Sequence, residues 1–124
     1  MTELGNKLVK LFDTVEKDGV LNLLNDADIN QNETFWDIAN SLHGANLKRF
    51  TNIANMFAEG RSIKEIKNIN KLYSVNIKNK ELDVFFDALI KHFSNPFGKI
   101  QGPIGRFLLK ITEVSPKSLE AKFN

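Results

Sequence analysis

Oxygen-bearing side chains alternate between residues 26 and 37, in a spacing that suits metal binding. The set comprises Asp26, Asp28, Asn30 and Asn32 at every second position and Asp37 at the twelfth. Calcium loops take oxygen ligands at such positions and end on a carboxylate at position twelve. Gln31 occupies position six, where a calcium loop has glycine. We interpret the segment as an interhelical loop whose Asp and Asn side chains make turns and helix caps, so we predict no metal, with a calcium site as the alternative.

A basic segment in the middle of the chain is the second candidate. Ser62-Ile63-Lys64-Glu65 has the pattern of a helix capping box, and Gly60 precedes it, as at the entry to a helix-turn-helix DNA reader. Lys67 stands where such readers have a small residue, and residues 76–81 do not suit a recognition helix. The alternative is a structural helix with a solvated basic face. The cations of this predicted surface are Lys48, Arg49, Arg61, Lys64, Lys67 and Lys71.

The third candidate is the segment 95–111, which mixes apolar bulk with positive charge. Phe97, Lys99, Arg106 and Lys110 are its members with the greatest potential for contact. Such a composition suits a segment that lies on an anionic membrane surface, with its apolar face down and its cations at the headgroups. A terminal helix that packs onto the core more often has this composition, so membrane contact is the alternative.

The sequence offers little for catalysis. It has no cysteine, which excludes disulfides, thiolate chemistry and cysteine-ligated metals, and its only histidines are His43 and His92. It contains neither a glycine-rich phosphate loop nor a nucleophile elbow. We interpret Asp83 and Asp87 as an ordinary i,i+4 pair on a solvated helix face, and His92 as exposed. We therefore expect a protein that is not an enzyme and holds no cofactor.

These candidates must be positioned by helices, because helical periodicity dominates the chain. The 124 residues are 42% hydrophobic and 26% charged, which is typical of one soluble globular domain spanning residues 1–124. The spacing predicts an all-α fold, a compact bundle of six to seven short helices. The apolar stripes run over residues 4–15, 20–24, 35–42, 47–57, 63–73, 82–93 and 104–111. In this interpretation Asp18-Gly19 ends the first helix, and Val20 to Leu24 form a short second one.

The formal net charge of +2 conceals a strong asymmetry along the chain. Residues 1–44 hold three lysines against eight acidic residues, whereas residues 45–80 hold eight Lys or Arg residues against two acidic ones. The remaining residues, 81–124, are almost balanced. We expect a partner to bind where this charge is concentrated.

Three stretches, taken together, resemble one protein family. They are Leu8–Phe12 running into Glu16–Leu24, Leu42–Phe57 with its Asn46-Leu47 and Asn52-Ile53 pairs, and Leu82–Leu89 followed by Asn95-Pro96 and Gly105–Lys110. This order of helices and turns is similar to the prokaryotic domain-of-unknown-function family 1641, with Asn95 in place of that family's aspartate. Members are typically encoded beside formate dehydrogenases and flavin-dependent, quinone-linked oxidoreductases, and some are their non-catalytic, membrane-associated subunits. The resemblance implies an accessory protein with no catalytic residues to carry over.

We therefore expect a non-catalytic interaction or accessory protein that links a redox enzyme to a protein partner or a membrane. The alternative is a DNA-binding module that uses the basic segment 45–80. The expected location is the cytoplasm or the inner face of the membrane, because the N-terminal residues lack the pattern of a secretion signal. A homo-oligomer would be indicated by an exposed Phe or Ile patch on one of the last two helices.

Overall fold

Six α-helices make up most of the described part of the computed structural model, which covers residues 3–17, 20–22, 31–94 and 100–113. The predicted all-α fold class is confirmed, with one small antiparallel hairpin added. In chain order the elements are α1 (Glu3–Val15), β1 (Glu16–Lys17), β2 (Val20–Leu21), α2 (Glu33–Ser41), α3 (Gly44–Ala58), α4 (Ile63–Asn76), α5 (Lys80–Phe93) and α6 (Gln101–Glu113).

The helix boundaries follow the capping residues in the sequence. The side-chain oxygens of Asn32, Ser62 and Asn79 each accept a hydrogen bond from a backbone N–H in the first turn of the helix that follows. Such a bond satisfies a donor that has no partner within the helix. Gly60, just after α3, has a φ angle of +71°, which glycine adopts without steric cost. Gly60 and Ser62 thus define where α3 ends and where α4 begins.

The predicted short helix over residues 20–24 is wrong at its start. Val20 and Leu21 form β2, which pairs antiparallel with β1 in the register Glu16 to Leu21 and Lys17 to Val20. Asp-Gly is a dipeptide typical of two-residue hairpin loops, whereas the sequence prediction assigns Asp18-Gly19 to a helix end. Residues 23–30, which include the rest of that prediction, lie outside the described part of the chain.

A single cluster of buried apolar side chains joins all six helices. Each predicted stripe from α1 to α6 contributes to it, including the Phe-rich stripe of α5, in which Phe85, Phe86 and Phe93 are buried. Phe50 of α3 stacks on Phe85 with the ring centroids 6.1 Å apart. The amphipathic spacing in the sequence therefore gave the correct inward faces.

Helix α6 packs onto the core as a terminal helix. Its apolar residues Ile104, Phe107, Leu108 and Ile111 are buried, so none of them can lie on a membrane surface. Residues 95–99 of the same segment, with Phe97 and Lys99, lie outside the described residues. None of the described helices combines the length and apolar character needed to cross a bilayer. The described part of this segment supports the packing interpretation.

Helix α6 approaches the end of α3 closely at Gly105. A Cβ atom at Gly105 would lie 2.7 Å from the Cα of Ala58 and 2.7 Å from the carbonyl carbon of Phe57. Backbone atoms at that distance cannot move aside as a flexible side chain can. Only glycine fits at position 105 without separating the two helices.

We expect Gly105→Ala to lower the free energy of unfolding by about 3 kcal/mol, because the added methyl group overlaps the α3 backbone. Gly102→Ala is the matched control, since its Cβ would lie 3.2 Å from the flexible end of Arg106. The control should stay within about 1 kcal/mol of the unmodified protein, helped by the better helix propensity of alanine. Urea denaturation measures both, and equal stability of the two variants would contradict the close approach.

Candidate functional site

The exposed face of α4 carries three lysines. Lys64, Lys67 and Lys71 are three, four and seven residues apart, which places them on one side of the helix. All three are exposed, and none forms an ion pair with a residue that the structure describes. This group, together with Lys48 on α3, is the part of the predicted basic surface that remains uncompensated.

An apolar ridge borders these lysines. Leu72 is 60% exposed and Val75 is 70% exposed, and Val75 follows Lys71 by one helical turn. A shallow apolar groove of about 270 Å³ lies beside the ridge, lined by Ile69, Leu72, Tyr73, Asn76 and Ile77. Two of the large apolar side chains that are exposed in the described residues therefore lie on α4.

Arg49 does not belong to this surface, contrary to the sequence prediction. Its side chain is 0% exposed, and it donates hydrogen bonds to the Asp83 carboxylate at 2.6 Å and to the Asn70 amide oxygen at 2.9 Å. The guanidinium also reaches the Ile77 carbonyl and lies 5.6 Å from the ring centre of Phe86. Arg49 precedes buried Ile53 by four residues, so helical geometry turns it inward. Arg49 therefore connects α3 to α4 and α5 through its hydrogen bonds.

Arg61 is exposed, but its charge is compensated locally. It donates to Glu65 at 2.8 Å and lies 3.5 Å from Glu59. The hydrogen bond and the charge of Glu65 raise the pKa of Arg61 above its usual value. The hydrogen bond from Arg61 likewise lowers the pKa of the Glu65 carboxyl. Arg61 therefore contributes less to an interaction surface than the lysines of α4.

Asp83 and Asp87 differ from the solvated pair that we expected. Asp83 is the partner of Arg49, while Asp87 accepts a long hydrogen bond from the Asn70 amide at 3.4 Å. Partial burial and the nearby Asp83 carboxylate raise the pKa of Asp87, and the charge of Arg49 opposes that shift. Asn70 is 4% exposed and connects the buried arginine to Asp87.

The calcium prediction is tested only in part. Asp26, Asp28 and Asn30 lie outside the described residues. Asn32 caps α2 by accepting the amide of Phe35 at 2.8 Å, and Asp37 lies 3.1 Å from the ammonium group of Lys7. Among the residues that can be described, no group of three or more His, Cys, Asp or Glu side chains is placed to hold a metal. The two described members of the loop thus have structural partners.

The remaining predicted residues are spread over other elements. Arg106 and Lys110 are exposed on α6. His92 is half-buried rather than exposed, because its ring packs edge-on against Phe12 at 5.2 Å between centroids. Its Nε2 atom lies 3.6 Å from a carboxylate oxygen of buried Glu16. The predicted cations Arg106 and Lys110 therefore belong to a different helix from the lysines of α4.

Two residues close to the α4 lysines were missed in the sequence. A cleft lies between α4 and α5, and its lining includes Lys91 of α5 and Asn70 together with Lys67 and Lys71. Asn70 follows buried Ile66 by four residues, a spacing that marks the inward face of α4 and was available in the sequence. No comparable spacing in the sequence marks Lys91, because its place in the cleft depends on how α4 packs against α5.

The comparisons with known proteins found no relative of this chain. A scan against protein-family models, a search of curated proteins and a search of solved structures each found no match. The resemblance to the domain-of-unknown-function family 1641 therefore stays a prediction.

We expect Asp83→Asn to lower the free energy of unfolding by about 2 kcal/mol, because it leaves the buried Arg49 charge without a counter-ion. Arg49→Met should cost a similar amount, since Asn70 then loses its donor. The double variant should lose less than the sum of the two, with a coupling of about 1 kcal/mol.

Urea denaturation of the four proteins gives this coupling directly. The exposed pair Arg61 and Glu65 is the control cycle, in which solvent screening should leave a much smaller coupling. Strictly additive losses for Arg49 and Asp83 would show that their contact contributes nothing specific.

Asp87→Asn should stabilise the protein at pH 7, which would appear as a rise in Tm. The folded-state pKa of Asp87 is raised above the usual 3.8, so its ionised form is disfavoured by folding. Ionisation of Asp87 therefore destabilises the folded protein at neutral pH. This destabilisation disappears as the pH falls below the folded-state pKa toward 3.8, because the carboxyl becomes protonated. The difference in Tm should therefore shrink as the protein is acidified. A difference that stays constant or grows on acidification contradicts this account.

Proposed function

We propose that this protein is a non-catalytic interaction protein that docks a partner on the exposed face of α4. The observation that carries the proposal is the ridge of Leu72 and Val75 beside the uncompensated lysines of the same helix. Exposed apolar side chains with a charged rim are typical of protein interaction sites.

The charged and apolar side chains on the exposed face of α4 indicate what kind of partner would bind there. Lys64, Lys67 and Lys71 favour a negatively charged counterpart, while Leu72 and Val75 favour an apolar one. An acidic amphipathic segment of another protein combines both properties, and a helix laid in the groove beside Tyr73 would bury its apolar face. The resemblance to the domain-of-unknown-function family 1641 suggests that the partner is an oxidoreductase subunit.

DNA binding remains the alternative for the same lysines. Its support is reduced, because Arg49 is buried and Arg61 is paired with two glutamates, so two of the six predicted phosphate contacts are already occupied. Phosphate contacts also make no use of Leu72 and Val75. The protein partner explains both the charged and the apolar side chains, and DNA explains only the charged ones.

The test is affinity purification from the native host, with the unmodified protein and with Leu72→Gln, Val75→Gln and Lys71→Gln as baits. We expect a partner with an acidic surface that the α4 variants recover about tenfold less well, a loss of about 1.4 kcal/mol. Val20→Gln is the matched control, because Val20 is 59% exposed on β2, away from α4. Binding must then be reproduced with the purified partner.

Three outcomes oppose the proposal. A partner recovered equally by every variant would place the interaction elsewhere. A shift of duplex DNA in a gel that Lys64→Gln weakens and Leu72→Gln leaves unchanged would favour DNA. A concentration-dependent dimer in light scattering that Leu72→Gln dissociates would show that a second copy of this chain covers the ridge.

A further inference from the structure

A cleft between α4 and α5 has the features of a small-ligand site. It has a volume of about 370 Å³, which falls at the lower end of the range for small-molecule sites, about 300–1,000 Å³. Its lining comprises Ile63, Lys67, Asn70, Lys71, Asp87, Ile90, Lys91 and Ser94. Three cations from two helices therefore surround one concave surface.

The Asn70 side chain in the cleft is held by a hydrogen bond from a buried residue of the core. Asn70 is 4% exposed, and its side-chain oxygen accepts a hydrogen bond from the buried guanidinium of Arg49 at 2.9 Å. One hydrogen of its Nδ2 donates to Asp87 at 3.4 Å. The amide nitrogen has two hydrogens, and no second acceptor for it is found among the described residues. A buried amide held in one orientation is a preorganised donor.

The lysines of the cleft lack a counter-charge. Lys67, Lys71 and Lys91 form no ion pair with any residue that can be described, and Asp87 is the single carboxylate in the lining. Lys67 and Lys71 are four residues apart on one helix, where like charges repel. A bound anion would remove that repulsion and supply the missing charge.

We propose that the cleft between α4 and α5 binds a small organic anion with a phosphate group or several carboxylates. Lys67, Lys71 and Lys91 contact the charged oxygens, and Asn70 adds a hydrogen bond. Ile63 and Ile90 pack against the carbon part of the ligand. The site goes beyond the docking surface, since it requires Lys91 of α5 and makes no use of Leu72 or Val75.

The carboxylate of Asp87 lowers the affinity of the cleft for an anion, but it does not contradict the assignment of the cleft as an anion site. Partial burial and the Asp83 charge raise the pKa of the Asp87 carboxyl, while the Arg49 charge lowers it. None of the three lysines is engaged with it. Their positive charge therefore remains available to a ligand.

The test is calorimetric titration of the full chain with pyrophosphate and with citrate at constant ionic strength. We expect binding with a Kd below about 1 mM, and the tighter of the two probes identifies the preferred oxyanion. Lys91→Gln and Lys67→Gln should each weaken binding about tenfold, because each removes a charged contact. Lys64→Gln is the matched control, with the same change on the same helix outside the cleft, and should change the Kd less than about twofold. The side-chain amide resonance of Asn70 should shift on binding.

The proposal fails if neither probe produces heat or a shift of the Asn70 amide at millimolar concentration. It also fails if Lys64→Gln weakens binding as much as Lys91→Gln, which would indicate general attraction to a basic surface. Leu72→Gln separates the two proposals, since it should weaken docking of the protein partner about tenfold and leave the anion Kd unchanged.

Discussion

The rest of the structure depends on the burial of one guanidinium group between three helices. Arg49 projects from α3 and reaches Asn70 on α4, Asp83 on α5 and the Ile77 carbonyl in the connection between them. Burying a charge is costly unless a counter-charge and hydrogen bonds compensate it. The arrangement of α3, α4 and α5 is therefore restricted to geometries in which all three partners reach the same side chain.

This restriction also shapes the outer surface. Asp83 is directed to Arg49, and the Asn70 amide connects that pair to Asp87, so these acidic groups of α5 form no ion pair with the lysines of α4. Elsewhere in the basic segment, Glu59 and Glu65 compensate Arg61. The lysines of α4 consequently keep their positive charge on the exposed side of that helix and along its cleft with α5.

Much of the fold could be predicted because its signals are local. Apolar residues at helical spacing identified the buried faces, and Asn32, Ser62 and Gly60 marked helix ends through side-chain or backbone preferences that act within a few residues. The hairpin was missed although Asp18-Gly19 was visible, because an Asp-Gly pair also ends helices. Burial of Arg49 was missed for a different reason. Its partners are 21 and 34 positions further along the chain, and no local pattern shows that they converge.

The docking face and the anion cleft share Lys67 and Lys71, which sets a physical relation between the two proposed ligands. Each ligand would use the same positive charge, so an anion in the cleft reduces the attraction that an acidic partner experiences. Thermodynamic linkage requires the converse effect to be equal in free energy. The apolar contacts with Leu72 and Val75 are independent of that charge, so the partner can remain bound with lower affinity. Electrostatics alone therefore makes the two ligands antagonistic, without any change in the fold.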